Sequence, residues 1–177
     1  MNAEHALRMA VALGADPARA AAALQTFPGV ERRMQRISAP NHVPAVYDDY
    51  AHNPEKLAAM WRTFAAMYGR LAVVWRPHGY APLRKMMDAL AEMFRNTVRK
   101  DDLLILLPVY DAGGTTTRDV NSSDLASRLA GVNVQCVADI DAARALLTSR
   151  KNDFDALVMC GARDPALPVL AQQLSSI

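Results

Sequence analysis

A chain of 177 residues, 51% apolar and 21% charged with a formal net charge of +2, has the make-up of an ordinary globular protein with room for one cored domain and an appendage. No apolar run nears the ~20 residues that cross a bilayer, and the two signs of charge are interspersed along the chain, so neither a membrane span nor a nucleic-acid interface is expected. No signal peptide opens the sequence, which makes the cytoplasm the expected compartment.

Apolar residues recur at helical spacing from Ala3 to Leu13 and stop at Gly14. Asp16-Pro17 then caps a second, Ala-rich helix that runs to about Phe27, and Pro28-Gly29 breaks it. Two such helices are too small to form a core of their own. From Val30 onward strands and helices alternate. Arg32 to Ser38 mixes polar and apolar residues as an edge strand does, and Pro44 to Tyr47 is a short buried strand. It leads into a loop carrying Asp48, Asp49, Tyr50 and His52. Asn53 serves as N-cap, with Pro54 as first helical residue and Glu55 at the positive helix end. That helix buries Leu57, Met60, Trp61, Phe64 and Tyr68 on one face and ends at Gly69.

Leu71 to Trp75 is a continuous apolar strand, as when both sheet faces are covered. Pro82 opens a helix with Met86, Leu90, Met93 and Phe94 as its core stripe. Leu103 to Val109 is a strand, Ser122 caps a helix through Leu129, and Val132 to Val137 is another strand. Asp139 caps a helix carrying Ile140, Ala143, Leu146 and Leu147. Ala156 to Cys160 is the last strand, and Asp164-Pro165 starts the last helix. This alternation predicts an α/β fold: a Rossmann-like, doubly wound, mostly parallel sheet with helices on both faces, preceded by a short two-helix segment. Cys136 and Cys160 both fall in apolar runs and are expected as buried free thiols, with no metal site.

In such sheets ligands lie beyond the carboxyl ends of strands, where loops meet helices. Besides Asp48–Pro54, three strand ends carry polar or Gly-rich sequence: Arg76-Pro77-His78-Gly79-Tyr80-Ala81-Pro82-Leu83-Arg84, Tyr110-Asp111-Ala112-Gly113-Gly114-Thr115-Thr116-Thr117, and Gly161-Ala162-Arg163-Asp164. Upstream stands Phe27-Pro28-Gly29-Val30-Glu31-Arg32-Arg33-Met34.

Taken in order, these segments resemble the C-terminal domain of the Mur ligases, the ATP-dependent amide-forming enzymes of peptidoglycan synthesis. Within that family the resemblance is to the UDP-N-acetylmuramate–L-alanine ligase and murein tripeptide ligase branch. Its pattern runs F-x-G-V-x-R-R, D-D-Y-A-H-H-P, Q-P-H-R-Y-S-R, Y-x-A-G-E, matched here at Phe27–Arg33, Asp48–Pro54, Arg76–Tyr80 and Tyr110–Gly114. Asn2-Ala3-Glu4-His5-Ala6 resembles the H-N-x-x-N helix that closes the family's central ATPase domain. The resemblance therefore implies residues 1–28 as the helical tail of a central domain and 29–177 as the C-terminal domain. The sequence holds no G-x-x-x-x-G-K-[ST] loop to cradle phosphates. The chain is accordingly expected to be a piece of a larger ligase and inactive alone, with ATP and Mg2+ held mainly by the central domain.

The resemblance also implies partners and roles. The substrates would be a UDP-N-acetylmuramate-type carboxylate and an amino acid or peptide, and the N-terminal and central domains of the same polypeptide would complete the enzyme. Arg33 would reach the ATP phosphates, Asp49 the ribose hydroxyls and Tyr50 the adenine. His52 would lie toward the incoming amine or the reacting carboxylate, and Asp48 would be structural. Departures from the pattern are Asn53 for the second His of H-H-P, Gly114 for the acid of Y-x-A-G-E, and Gly79 and Pro82 for the two arginines of P-H-R-Y-S-R. The loop's His78 and Tyr80 remain substrate-side candidates, and Arg76 or Arg84 could supply the cation instead. Which amine is used stays open. A stand-alone Rossmann-like binding module and a folylpolyglutamate- or cyanophycin-type ligase domain remain alternatives; Arg32-Arg33 and Asp48-Asp49-Tyr50 favour the muramate branch.

Overall fold

The structure is a computed structural model describing residues 2–111 and 113–177. The chain divides into two compact units, Met1–Glu31 and Arg32–Ile177. The first holds helices α1 (Asn2–Ala12) and α2 (Pro17–Gln25). Asp16 caps α2 by accepting the Arg19 N–H at 2.9 Å. No residue from 3 to 31 is buried. In this unit Met9 and Leu13 remain 65% and 84% exposed, so it carries no core of its own.

The second unit is a six-stranded sheet of β1 (Gln35–Arg36), β2 (Ala45–Asp49), β3 (Leu71–Trp75), β4 (Leu103–Leu106), β5 (Val134–Cys136) and β6 (Ala156–Cys160), in the order β1-β2-β6-β3-β4-β5. All neighbours are parallel except β1 on β2. The connecting helices are α3 (Pro54–Met67), α4 (Tyr80–Thr97), α5 (Ser122–Ala126) and α6 (Ile140–Ser149), with α7 (Ala166–Leu174) after β6. Alternation sorts the strand residues between two cores. Tyr47, Val73, Trp75, Leu104, Leu106 and Val158 pack with Leu57, Trp61 and Phe64 of α3 and Leu90 and Phe94 of α4. Val46, Ala72, Val74, Ile105, Leu157 and Met159 pack with Leu147 of α6 and Leu167 and Leu170 of α7. Helices cover both faces, as the unbroken apolar strands require.

After β5 the chain returns through α6 to place β6 between β2 and β3. The direction of winding reverses there, which creates the crevice at which such sheets take ligands. The registers set Asp49, Cys160, Trp75, Leu106 and Cys136 level across the sheet. The loops that leave this row form one continuous rim.

At the opposite end Asp102, fully buried, accepts five side-chain or backbone donors. These are Trp61 Nε1 at 2.9 Å, Leu71 N–H at 3.0 Å, and Arg99 through its backbone N–H at 3.2 Å, Nε at 2.9 Å and Nη2 at 2.8 Å. Arg99 Nη1 in turn donates to the carbonyls of Ala65 and Tyr68. The network ties α3, β3 and the entry to β4 together.

Several elements differ from the sequence expectation. The Arg32–Ser38 edge strand shrinks to Gln35–Arg36, because Arg32 (φ 55°) and Met34 (φ 48°) take left-handed conformations that break an extended run. Strand β2 extends through Asp48 and Asp49, so these acids end a strand rather than sit in a loop. Helix α4 begins at Tyr80, with Gly79 (φ 150°) as N-cap, and Pro82 is accommodated in the first turn, where its missing N–H costs no helical bond. Helix α5 is capped by an Asn121–Asp124 box and stops at Ala126, short of Leu129. β4 ends before Pro108, which has no N–H to donate, and β5 is confined to Val134–Cys136. Cys136 is exposed, against expectation, because β5 is an edge strand with half of its pairing open; Cys160, on central β6, is buried.

Candidate functional site

The rim is held by its acids. Asp49, 6% exposed, accepts the N–H of Ala51 through Oδ1 and of Met34 through Oδ2, both at 2.7 Å. It thereby clamps the exit of β2 to the segment that enters β1. Asp48, 1% exposed, accepts Arg32 Nε at 3.0 Å through Oδ2, while its buried Oδ1 has no partner among the described residues. Burial pushes the Asp48 carboxyl pKa up, against the opposing pull of Arg32. Arg32 Nη2 also donates to the carbonyl of Gly161 at 2.9 Å, joining the β2 and β6 ends. The acids are therefore committed to the scaffold; the ribose contact anticipated for Asp49 would have to use its remaining lone pairs.

Arg32 and Arg33, adjacent in sequence, have opposite surroundings. Arg32 is half-buried and paired; Arg33 is exposed and makes no ion pair among the described residues. Both guanidinium groups approach the Tyr50 ring, at 5.1 Å for Arg32 and 5.7 Å for Arg33 from its centroid. The left-handed turns at Arg32 and Met34 bracket Arg33 and separate its course from that of its neighbour.

His52 Nδ1 lies 2.8 Å from the Tyr50 carbonyl. A carbonyl only accepts, so Nδ1 carries a proton, and in the neutral ring the lone pair is therefore on Nε2. The His52 ring meets His78 edge-on at 5.1 Å and Tyr50 at 5.5 Å. These rings bring the β2 and β3 exits together. A cavity of about 470 Å³ opens beside them, lined by His52, Asn53, His78, Pro82, Lys85 and Met86 among others. A second, of about 220 Å³, shares His78 and is lined by Tyr80, Tyr110, Asp111, Thr116 and Arg163 as well. The His78 pKa is pulled below its ordinary value by burial first, then by His52 and Arg163.

The arginines expected to supply a substrate cation do not stand free. Arg76 donates from Nη1 to buried Asp164 at 2.8 Å and from Nε to the Pro108 carbonyl at 3.0 Å, bracing the β3, β4 and β6 exits. Arg84 pairs with Asp119 and reaches the Thr117 carbonyl. Tyr80 opens α4 and lines the smaller cavity, with Arg118 over its ring at 5.9 Å. Of the Tyr110–Gly114 segment, Ala112 lies outside the described residues; Asp111 is bound by Arg118 Nε at 2.6 Å and by the Gly113 N–H at 2.9 Å.

The structure adds Lys85 and Arg163 to the site. Lys85 looks from sequence like any solvated charge on a helix. Arg163 had one signal, its place two residues after Gly161 at the end of β6. Among the described residues, no three His, Cys, Asp or Glu side chains are grouped to hold a metal ion.

Residues 32–163 match the model of the Mur ligase, glutamate ligase domain. The UDP-N-acetylmuramate–L-alanine ligase of Ruthia magnifica is 33% identical over 150 residues, covering 80% of this chain and 31% of that protein. That of Halorhodospira halophila is 32% identical over 170 residues, covering 92% and 34%. The crystal structure of the UDP-N-acetylmuramate–alanine ligase of Thermotoga maritima superposes with a TM-score of 0.73 at 20% identity, covering 99% of this chain and 36% of that one. The chain spans about a third of the length of these proteins.

Proposed function

From the premise that this chain belongs to the Mur ligase family, as its C-terminal domain, we propose that it closes the catalytic site of an ATP-dependent ligase joining an amino acid or peptide to a UDP-N-acetylmuramate-type carboxylate in peptidoglycan synthesis or recycling. The observation that carries the reading is the convergence of Arg33, Tyr50, His52 and His78 on one rim at the winding reversal. The N-terminal and central domains, which would bring the nucleotide phosphate cradle and the sugar site, are partners this reading requires. Residues 1–28 would belong to the central domain as its helical tail. Use of ATP and a UDP-linked sugar would place the reaction in the cytoplasm.

ATP, when bound, supplies the phosphoryl group that turns the carboxylate into a reactive acyl phosphate, with Mg2+ held by the central domain. The residues of this chain fit the outer side of such a nucleotide. Arg33 offers an uncommitted guanidinium to phosphate oxygens, and Tyr50 offers a ring face. Asp49, through its grip on Met34 and Ala51, sets the position of both. His52 then has a task its tautomer allows. As the amine nitrogen bonds to the acyl carbon and phosphate departs, one proton must leave the nitrogen, and Nε2 of His52 has the lone pair to receive it. Closure of the rim over the site would exclude the water that competes for the acyl phosphate.

Two linked measurements test this. The chain alone should neither hydrolyse ATP nor form an amide. In the full-length ligase Arg33→Ala should raise the Michaelis constant for ATP by about ten- to a hundredfold, the ~1.5–3 kcal/mol of a charge-assisted phosphate contact. Arg32→Ala should instead act chiefly on stability. Mg-dependent ATP hydrolysis by the purified chain, or equal small effects of both substitutions on ATP use, would overturn the assignment.

A further inference from the structure

We propose that His52 and His78 form a two-histidine chelate for Zn2+ at the rim, and that zinc bound there inhibits the ligase by occupying the lone pair that receives the amine proton. The chelate stands on the geometry of the two rings, and only its effect on turnover rests on the ligase reading.

The rings stand at the separation that a shared ion sets. Imidazoles bound through nitrogen to one tetrahedral Zn2+, each at about 2.0–2.1 Å, have ring centroids about 5 Å apart. The His52 and His78 centroids are 5.1 Å apart, with the ring planes at 78°. His52 also has the outer partner of a metal ligand. Its Nδ1–H is held by the Tyr50 carbonyl at 2.8 Å, which fixes the ring and leaves Nε2 to bind. His78 is half-buried, and neither of its nitrogens is hydrogen-bonded to a described residue. Its ring can therefore turn about the soft terminal torsion and bring a nitrogen to the same ion.

Both rings are carried by segments already held in place, so the pair does not have to be assembled by the metal. His52 lies between Ala51, whose N–H bonds Asp49 at 2.7 Å, and Asn53, the N-cap of α3. His78 lies between Pro77, whose carbonyl accepts the Tyr110 N–H at 2.7 Å, and Gly79, the N-cap of α4. The cavity of about 470 Å³ beside them gives an ion a way in and leaves room for water at its remaining positions.

The donors select the ion. Two imidazole nitrogens, in a cavity lined by no described carboxylate, suit Zn2+, whereas Mg2+ takes oxygen ligands. Lys85 lines the same cavity, and Arg163 lines the smaller one that shares His78; both charges oppose a dication. The site therefore fills when zinc is in excess and empties again, unlike a structural zinc closed by four protein ligands. Once filled, it denies Nε2 of His52 to the amine proton and leaves Arg33 free for phosphate.

The test is a titration of this chain with zinc chloride, followed through the histidine ring resonances by NMR. Cys136→Ser serves as the background, since it removes the exposed thiol as a rival ligand. The His52 and His78 resonances should move together, saturate at one ion per chain, and do so before those of His5 and His42. His52→Gln and His78→Gln should each weaken binding by about tenfold or more. Lys85→Glu, at an exposed position, replaces a repelling charge with a carboxylate and should tighten binding by about tenfold. Excess Mg2+ should leave both rings undisturbed. Movement of one ring only, undiminished affinity in a folded His78→Gln chain, no gain in Lys85→Glu, or displacement of zinc by Mg2+ would overturn the site. In the full-length ligase zinc should inhibit in competition with the amine and not with ATP, and His78→Gln should relieve that inhibition. Inhibition overcome by Mg-ATP instead of by the amine would refute the inhibitory role. A full-length protein without amide-forming activity refutes the ligase reading, while the titration still judges the zinc site.

Discussion

The two ends of the sheet use the same chemistry, aspartate against arginine, in opposite ways. At the amino end Asp102 is saturated by Trp61, Leu71 and Arg99, and Arg99 gives its remaining guanidinium nitrogen, Nη1, to two carbonyls. At the carboxyl end Asp48 is equally buried but has one unpartnered oxygen, and Arg33, Lys85 and Arg163 stand without ion partners among the described residues. A closed network of buried polar groups holds a fold; an open one keeps charge available for something outside it. The difference separates structure from function on a single sheet.

The largest effect expected from breaking this comparison is at Asp102. Asp102→Ala leaves the Trp61 Nε1, the Leu71 N–H and the Arg99 guanidinium without their acceptor, and should cost about 3 kcal/mol. That lies at the lower end for a broken buried pair, because the Arg99 side chain is 35% exposed. Urea unfolding followed by circular dichroism measures it, and a loss below about 1 kcal/mol would mean that the two ends do not differ as described.

At the other end the smaller effect should depend on pH. The folded-state carboxyl of Asp48 titrates above its unfolded value, so between those two values the folded chain binds the extra proton. Stability from this group therefore falls as pH rises through that window. Arg32→Ala, which removes the opposing cation, should cost about 1–3 kcal/mol near neutrality and less toward acid. Asp48→Asn should flatten the difference. Unfolding midpoints of the wild type and both variants across the acid range decide it, and a pH-independent Arg32→Ala penalty would contradict the sign.

The subtlest probe is His78. Its ring should titrate by NMR below 6.5, and Arg163→Gln should move the midpoint upward by only a minor part of the depression, since burial is the first cause and Arg163 the last. The folded state then binds fewer protons than the unfolded one between those values, so His78 lowers stability as pH falls through them. An unperturbed midpoint in the wild type would show the crevice to be more open to water than its geometry implies.

Much of this was legible in sequence, for identifiable reasons. β3 and β6 and the α6 cap at Asp139 follow directly from apolar runs and capping chemistry, which are local signals. The winding was legible from alternation, but not the insertion of β6 between β2 and β3, which depends on pairing partners far apart in the chain. The motif segments located the rim. They could not say which charges were committed, because the partners of Arg76 and Arg84 lie 88 and 35 residues away. Arg163 was missed for the same reason in reverse: it has no ion partner among the described residues, which no local pattern encodes. The exposure of Cys136 depends on β5 being last in the sheet, again a matter of order and not of composition.

Gly161 has a consequence for how such a rim can be changed. Its φ is 145°, and a Cβ there would meet the Arg76 carbonyl at 2.9 Å and Leu167 at 3.0 Å, so no other residue fits without moving β3 or α7. Two residues on, the chain has returned to open space. The loop after β6 thus behaves as a socket with a fixed seat and an exchangeable insert: position 161 sets the path, and position 163, exposed but at φ 67°, accepts other side chains only if they tolerate a left-handed backbone. For anyone seeking to redirect the site toward a different ligand, varying 163 against a constant 161, with proline and the β-branched residues left out, is a small library that respects the path of the chain.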